Sequence, residues 1–413
     1  MKVLLVSSKY QPEYSGSGLR AHRTHLRLRD NHGIDTEVIC SGTESTESST
    51  YELDGILVKR VLSTKLRKLH RSLGKGPLRR FTNAAMFRHE ARRVTNAMRD
   101  RNFDLVHVFG YSPATVAAIQ WARSNDVPLM LELVNKVNSP YQNLPGARRS
   151  SGYDLNNQSI IVAISKELGE TSERAGLSGN IWVRPNPVDV ERFAPVSPET
   201  RAATKKQLFD FEPGTRVIVY VAKFIERKNH SFLIDVLSNL PDEFKLVLAG
   251  PPQTDIHSVP GLTLEEIPTL MRKAEQLGVA NCLLVRPEFV DFSSYVQAAD
   301  VTCFPSEREG MGTPLLESLS AGVPVVANAG ESTFRDHIIP GENGYLEPLD
   351  AKRWAQAIVN SLKISDQQRT SFAANTTQNF STSRIDESYI RLMTALAGSK
   401  PGDHIQIEAV LNG

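Results

Sequence analysis

The stretch ADVTCFPSEREGMGTPLLESLSAGVPVVAN, residues 299–328, decides the fold. The apolar run VTCF (301–304) reads as a strand ending in a loop that carries Gly310 and Gly312. Thr313 and Pro314 then read as an N-cap and first helical position, PLLESLSA continues as a helix, and Gly322 stops it. PVVAN (324–328) is a second apolar run. Similar runs rich in Val, Ile and Leu recur with helical patterns between them. They are KVLLVSS (2–8), TEVIC (36–40), LVHVFG (105–110), PLMLELV (128–134) and SIIVAIS (159–165), then RVIVYVA (216–222), KLVLAG (245–250) and CLLV (282–285). Most lack the period-2 alternation of a half-buried strand, as expected when helices cover both faces of a sheet. Strand–helix alternation of this kind predicts an α/β fold with parallel, doubly wound sheets.

The alternation breaks at RPNPVDVERFAPVSPETRAATKK (184–206), where four prolines interrupt both helix and strand. The 413 residues therefore read as two α/β domains, 1–185 and 186–383, followed by a helix at 384–397 and a poorly ordered tail at 398–413. SGTESTESST (41–50) reads as a solvated loop. A hydrophobic content of 40% with 23% charged residues is that of a soluble globular protein. Cys40, Cys282 and Cys303 are scattered, which fits a reducing compartment and gives no disulfide framework or zinc site. The first strand begins at Lys2 and no apolar run approaches the roughly 20 residues of a membrane span, so the expected location is the cytoplasm.

Glu309 falls in the loop at the carboxyl end of a strand, and Glu317 about one turn inside the following helix. In a doubly wound sheet that crevice is where ligands bind. The pair could be an acid and a base, metal ligands, a sugar clamp or helix decoration. The N–H groups of Gly310, Met311 and Gly312 at a helix N-terminus favour an anion such as a phosphate, and the glycines permit close approach. A carboxylate beside phosphate is repelled unless it serves a neutral group, and hydroxyls suit it because an ionised carboxylate accepts two at once. Carboxylates on both sides of a phosphate site suggest a ligand with diols at both ends, the shape of a nucleotide sugar. Lys223 and Lys228, in VAKFIERKNH just past another strand, can bring two ammonium groups to one phosphate-sized site. Gly16 and Gly18, in SSKYQPEYSGSGLRAHRTHL, occupy a loop between the first strand and a helix and suit a ligand held in an interdomain cleft. They lack the dinucleotide fingerprint, since Ala21 stands three positions after Gly18.

Together these segments resemble the retaining glycosyltransferases of family 4, which have the GT-B fold. The resemblance is carried by the Glu-x7-Glu block EGMGTPLLE (309–317), by SIIVAISKEL (159–168), VRPNPVDVERF (183–193), VAKFIERKNHSFLIDVL (221–237), KLVLAGP (245–251) and ENGYLEPLD (342–350). It implies two Rossmann-like domains with an interdomain cleft, an acceptor-binding domain at 1–185 and a nucleotide-sugar domain at 186–383. The connector near 184–195 would be a hinge, and the helix at 384–397 would cross back to the first domain. Glu309 would bind hydroxyls of the transferred sugar and Glu317 those of the ribose. Lys223 and Lys228 would neutralise the departing diphosphate. The amides of Gly310, Met311 and Gly312 would hold sugar and phosphate, while Gly16 and Gly18 would close over the diphosphate. Transfer would retain the anomeric configuration, with the leaving phosphate taking the acceptor's proton and the protein positioning substrates and stabilising charge. Two lysines and a helix terminus offset the donor's charge, and the chain holds no D-x-D pair, so neither metal nor cofactor is expected. The expected partners are a nucleotide-diphosphate sugar and a saccharide or lipid-linked acceptor, in cell-surface polysaccharide or glycoconjugate synthesis. Three positions depart from the family: Val134 and Asn135 where a His is common, Asn186-Pro187 for Asn-Gly, and Lys223 where Arg is commoner.

Charge adds a further expectation. Residues 1–100 hold 19 Lys/Arg against 10 Asp/Glu, although the whole chain carries only +2, and such asymmetry points to an anionic partner. Between 64 and 99 there are eleven Lys/Arg and one acid, Glu90, and TKLRKLHRSL sets Leu66, Leu69 and Leu73 on one helical face. This segment reads as a dock for anionic lipid headgroups, peripheral on the inner face of the membrane, or as a grip on an acidic saccharide; a solvated amphipathic helix is the plain alternative. No nucleic-acid partner is expected. His22 and His25, at i and i+3, lack a third metal ligand, and His107 ends a strand; all three read as structural. Competing functions are another GT-B enzyme, such as a sugar-nucleotide epimerase or phosphorylase relative, and a catalytically silent nucleotide-sugar-binding subunit. The Glu-x7-Glu block and the two lysines favour transfer.

Overall fold

A computed structural model describes residues 1–13, 15–42, 47–72, 77–133, 159–174, 180–184, 186–212, 214–254, 260–309, 312–400, 403 and 405–412. The chain divides into two compact units, Met1–Pro185 with Ile385–Gly413, and Asn186–Arg384. The first unit holds β1 (Lys2–Ser7), β2 (Asp35–Cys40), β3 (Ser49–Leu53), β4 (Ile56–Arg60), β5 (Leu105–Phe109), β6 (Leu129–Leu133), β7 (Ser159–Ala163) and β8 (Ile181–Val183). They form one sheet in the order β3-β4-β2-β1-β5-β6-β7-β8.

Consecutive residues of the central strands bury on opposite faces. Val3, Leu105, Met130 and Ile160 pack with Leu28 of helix Gly16–His32 and with Ile385, Tyr389, Leu392 and Leu396 of helix Thr382–Ala397. Leu4, Val6, Val106 and Val108 face the other way, toward Val94 and Met98 of helix Pro77–Met98 and Val116 and Ile119 of helix Pro113–Ser124. Burial on both sides explains why these runs are uniformly apolar and show no alternation.

Two expectations are corrected here. β3 runs antiparallel to β4, and its Ser49 and Thr50, taken from the sequence as loop, pair with Arg60 and Lys59. The turn between them, Asp54 (φ 47°) and Gly55 (φ 76°), has both residues in the left-handed region, which matches the twist of a two-residue hairpin. The tail is not a loose end either. Ile405 is buried in the layer beneath helix Thr382–Ala397, and Ile407, Val410 and Leu411 of a short helix, Ile407–Asn412, pack on the same cluster. Apolar side chains that find a core surface order the chain that carries them.

The second unit holds β9 (Arg216–Val221), β10 (Phe244–Ala249), β11 (Leu283–Arg286), β12 (Val301–Phe304), β13 (Val325–Asn328) and β14 (Gly344–Glu347). The sheet is parallel throughout, in the order β11-β10-β9-β12-β13-β14. The chain builds outward from β9 through β10 to β11, then returns to lay β12 on the opposite flank of β9. Strand order therefore reverses between β9 and β12, and sheets of this kind bind ligands beyond the carboxyl ends of the strands at such a reversal. In the first unit the corresponding reversal lies between β1 and β5.

Below the β5 and β6 chain ends of the first unit lies a buried polar chain. The Glu132 carboxylate accepts from Arg184 Nη2 at 2.9 Å, from the Tyr389 hydroxyl, and from His107 Nε2 at 3.4 Å. His107 Nδ1 meets His25 Nε2 at 3.0 Å, and His25 Nδ1 meets the Thr36 hydroxyl at 3.1 Å. Burial alone would push the Glu132 carboxyl up, but Arg184 and His107 outweigh it and hold the group below the ordinary carboxylate range. Burial lowers both His25 and His107, so these imidazoles are neutral packing groups. His22 is also internal, bonded to the Tyr10 hydroxyl and to Asp54, each at 2.8 Å. Removing one partner of a buried pair leaves the other charge uncompensated. Arg184→Met should therefore cost about 3–5 kcal/mol, read from the urea midpoint of unfolding.

Candidate active site

Three loops meet beyond the carboxyl ends of β9, β12 and β13. After β9 the chain makes a 3-10 turn, Glu226–Lys228, closed by Asn229 at φ 52°, and the Tyr220 hydroxyl donates to the Lys228 carbonyl at 2.9 Å. This turn is tied twice to the loop after β12. The Glu307 N–H donates to the Arg227 carbonyl at 2.9 Å, and Asn229 Nδ2 to the Pro305 carbonyl at 3.0 Å. The loop after β13 joins through Glu331, whose Oε2 accepts the Glu309 N–H at 2.8 Å, and through Asn328 Nδ2 on the Ser306 carbonyl at 3.3 Å. Backbone groups freed from the sheet must find partners, and here the loops supply them to one another.

These ties bring the first glutamate onto two cations. Glu309 Oε1 accepts from Lys228 Nζ at 2.5 Å and from Arg227 Nη1 at 3.2 Å, with the Glu309 side chain 11% exposed. Burial would raise its pKa, but Lys228 and then Arg227 more than offset this, and the carboxyl titrates below the ordinary range. Arg308, just before it, sits in the left-handed region at φ 58°, a conformation that costs a non-glycine residue roughly 1–3 kcal/mol.

The helix that follows is Thr313–Ser320, and its N-cap is Gly312 rather than Thr313. Gly312 has φ 71°, and a Cβ there would lie 2.6 Å from the Phe334 ring, so backbone shape and packing both require glycine. Thr313 becomes the first helical residue, and its hydroxyl accepts from Asn186 Nδ2 at 2.6 Å. Glu317 is half-buried about one turn further on. Gly310 and Met311 lie outside the described residues, as do Val134 and Asn135.

Of the remaining candidates, the two glycines stand differently from expectation. Lys223 is half-buried just past β9 and, among the described residues, its side chain makes no hydrogen bond or ion pair; the cation that shares the carboxylate with Lys228 is Arg227. Gly16 and Gly18, in the first unit, are not loop residues but the first turn of helix Gly16–His32, which Ser15 caps by accepting the Gly18 N–H at 3.2 Å. A Cβ at Gly18 would meet the Lys9 carbonyl oxygen at 2.4 Å, so this glycine allows close chain packing, whereas the space beside Gly16 is open. Sequence reasoning missed Arg227 and Glu331. Arg227 adjoins a predicted site lysine, but Glu331 lies 22 residues from Glu309 with no spacing rule to link them. Among the described residues no three His, Cys, Asp or Glu side chains converge as a metal site.

The profile described as Glycosyl transferases group 1 matches residues 203–379, and that of Glycosyltransferase Family 4 matches residues 14–192. This chain belongs to glycosyltransferase family 4. Its two Rossmann-like α/β units are those of the GT-B fold, which it shares with Anabaena Alr3699/HepE in complex with UDP (TM-score 0.71, 18% identity, 96% of this chain and 100% of that one). A glycosyltransferase from Rickettsia africae is equally similar in fold (TM-score 0.71, 17% identity, 97% and 99% covered). In sequence it is 24% identical over 376 residues to the putative teichuronic acid biosynthesis glycosyltransferase TuaC of Bacillus subtilis, covering 87% of this chain and 88% of that one. It is 27% identical over 227 residues to a GDP-mannose-dependent monoacylated alpha-(1-6)-phosphatidylinositol monomannoside mannosyltransferase of Corynebacterium glutamicum, spanning 53% of this chain and 57% of that protein.

In this glycosyltransferase the basic stretch forms helices Thr64–Ser72 and Pro77–Met98. Leu66 is half-buried and Leu69 exposed, while Leu73 lies outside the described residues. Among the described residues no helix is long and apolar enough to cross a membrane.

Lys228 offers a direct check on the cluster. Because the Glu309 pKa is depressed on folding, its ionised form contributes stability above the ordinary glutamate value of about 4.3. That contribution is lost as the pH falls through its own lower pKa. The melting-temperature deficit of Lys228→Met should be largest near neutral pH and shrink as the carboxyl protonates, in unfolding curves taken from about pH 3 to 7.

Proposed function

We propose that the chain transfers a sugar from a nucleotide-diphosphate donor to a hydroxyl of a saccharide or lipid-linked acceptor, with retention of configuration and without a metal. The observation that carries the reading is Glu309, held by Lys228 and Arg227 at the strand-order reversal of the second unit. A buried carboxylate braced by cations is fixed in orientation, which suits it to grip sugar hydroxyls. Glu317 takes the ribose hydroxyls. Lys228, Lys223 and Arg227 meet the diphosphate. The bond from the sugar's anomeric carbon to the diphosphate oxygen breaks, a bond from that carbon to the acceptor oxygen forms on the same face, and the leaving phosphate takes the acceptor's proton. The protein's part is position and charge stabilisation. The UDP complex of the HepE relative in fold, and relatives named for polysaccharide and glycolipid synthesis, support this reading.

The first unit binds the acceptor in this scheme. Exposed Leu69, Leu78 and Phe81 among the cations of 64–99 support peripheral contact with an anionic membrane on its cytoplasmic face.

A thermal-shift screen against UDP-, GDP- and ADP-sugars should give one clear stabiliser, worth about 2.7 kcal/mol at 100 Kd. With that donor, Lys228→Ala should lower the transfer rate by ~10²–10³. Glu317→Ala should act mainly on donor affinity. A product of inverted configuration, or activity removed by a chelator and restored by a divalent ion, would refute the respective parts of the scheme.

A further inference from the structure

We propose that the groove between helices Pro77–Met98 and Pro113–Ser124 binds an acidic saccharide, one whose sugars carry carboxylate or phosphate groups. The inference rests on the transferase reading and gives its acceptor a chemical class. The groove, a cavity of about 460 Å³, is lined by Phe87, Arg88, Arg92, Thr95 and Asn96 along one helix and by Gln120 on the other. Among the described residues, no carboxylate lines it.

The two arginines are conspicuous for what their neighbours do. Arg67 forks onto Glu90 (Nε to Oε1 2.5 Å, Nη2 to Oε2 2.8 Å), Arg93 donates to the Leu62 carbonyl at 2.5 Å, and Arg99 to Asn96 Oδ1 at 3.1 Å. Glu90, the one acid of 64–99, is fully buried, also accepts the Ser63 N–H at 2.8 Å, and cannot neutralise the groove. Arg88 and Arg92 are exposed and, among the described residues, make no hydrogen bond or ion pair. They stand four apart on one helix, where like charges repel and an anion between them would relieve the strain. Guanidinium forks match carboxylate and phosphate oxygens two at a time.

The other walls suit a sugar ring. Phe87 lies 5.9 Å from the Tyr111 ring and offers an apolar face for C–H groups. The Thr95 hydroxyl donates to the Ala91 carbonyl at 3.1 Å, so its lone pairs can accept from sugar hydroxyls. Tyr111 follows the carboxyl end of β5, beside the strand-order reversal of the first unit. A flat lipid surface would instead draw on Leu78 and Phe81, which are not part of the groove.

The test is calorimetric binding of tetragalacturonate, phosphorylated maltotetraose and plain maltotetraose to the full chain at low salt. At least one acidic probe should bind about tenfold tighter than maltotetraose, and the double variant Arg88→Ala, Arg92→Ala should erase that preference. Phe87→Ala should weaken all binding about equally. The double variant should keep the wild-type thermal shift with the nucleotide sugar, which separates loss of the groove from loss of the fold. If no acidic probe outbinds maltotetraose, or the double variant keeps the preference, the proposal falls. It falls equally if the double variant loses only its binding to phosphatidylglycerol vesicles, since the arginines then serve a lipid surface. Should no nucleotide sugar stabilise the wild type while the acidic preference holds, the transferase reading fails and the saccharide site stands.

Discussion

All strands of the second unit run in one direction and are covered on both faces, so each crossover returns the chain to the amino edge of the sheet. Every loop that follows a strand therefore emerges at the opposite edge, and only there can side chains from distant parts of the sequence converge. The backbone groups released at that edge cannot be completed by sheet hydrogen bonds. They are completed by the neighbouring loops: the Glu307 N–H by the Arg227 carbonyl, the Glu309 N–H by the Glu331 carboxylate, and the Pro305 carbonyl by the Asn229 side-chain amide. The same bonds that satisfy the loops set Lys228 and Arg227 on Glu309. Structural completion and assembly of the site are one event in this fold.

The resulting cluster occupies a middle ground in burial. Glu132 in the first unit, with its side chain wholly inside, is matched to Arg184 and to hydroxyl and imidazole donors, and nothing from solution can reach it. Glu309 remains 11% exposed, so its cations are fixed before any ligand arrives yet still border solvent. Cations held in place by a carboxylate need little reorganisation when negative charge develops nearby, which is where preorganised electrostatics contributes most. The same arrangement carries a conformational cost, visible in Arg308, a non-glycine residue held in the left-handed region next to the glutamate.

The fold class was legible because apolar runs without alternation have few explanations other than strands buried on both faces. The glutamate block was legible because it sits where a strand gives way to a helix, and Lys228 because it follows another strand end. Contacts across the sheet were not. Nothing in the spacing connects Glu331 to Glu309, and periodicity reports burial of a residue without naming its partner. Local rules also lost to packing at Gly312. Thr313 ranks well as a cap on side-chain chemistry, yet the turn needs positive φ and room for the Phe334 ring, and only Gly312 meets both demands. The Asp54-Gly55 pair is a readable hairpin signal, but strand–helix alternation dominates the pattern around it. The ordered tail was hidden for a different reason: Ile405 and its neighbours are too few to show a period, and only the existing core surface makes them bury.

Eleven cations and one acid between 64 and 99 form a single signal in sequence, but the fold divides it. Buried carboxylates draw in some of the first unit's cations: Glu90 takes Arg67, Glu132 takes Arg184, and Asp386 takes Arg27 in two bonds of 2.6 and 2.9 Å. Others end on backbone carbonyls, as Arg93 does on Leu62. Cations so engaged belong to the structure, whatever the local net charge. Solvated charges separated by more than about 8–10 Å are screened at physiological salt, so the excess alone cannot select a partner. Selection has to come from cations left without internal partners and set beside walls of the right chemistry. Arg88 and Arg92 meet that condition, with an aromatic face and neutral hydrogen-bonding groups along the same groove. The meaning of the basic stretch thus depends less on how many charges it holds than on which of them the core leaves outside.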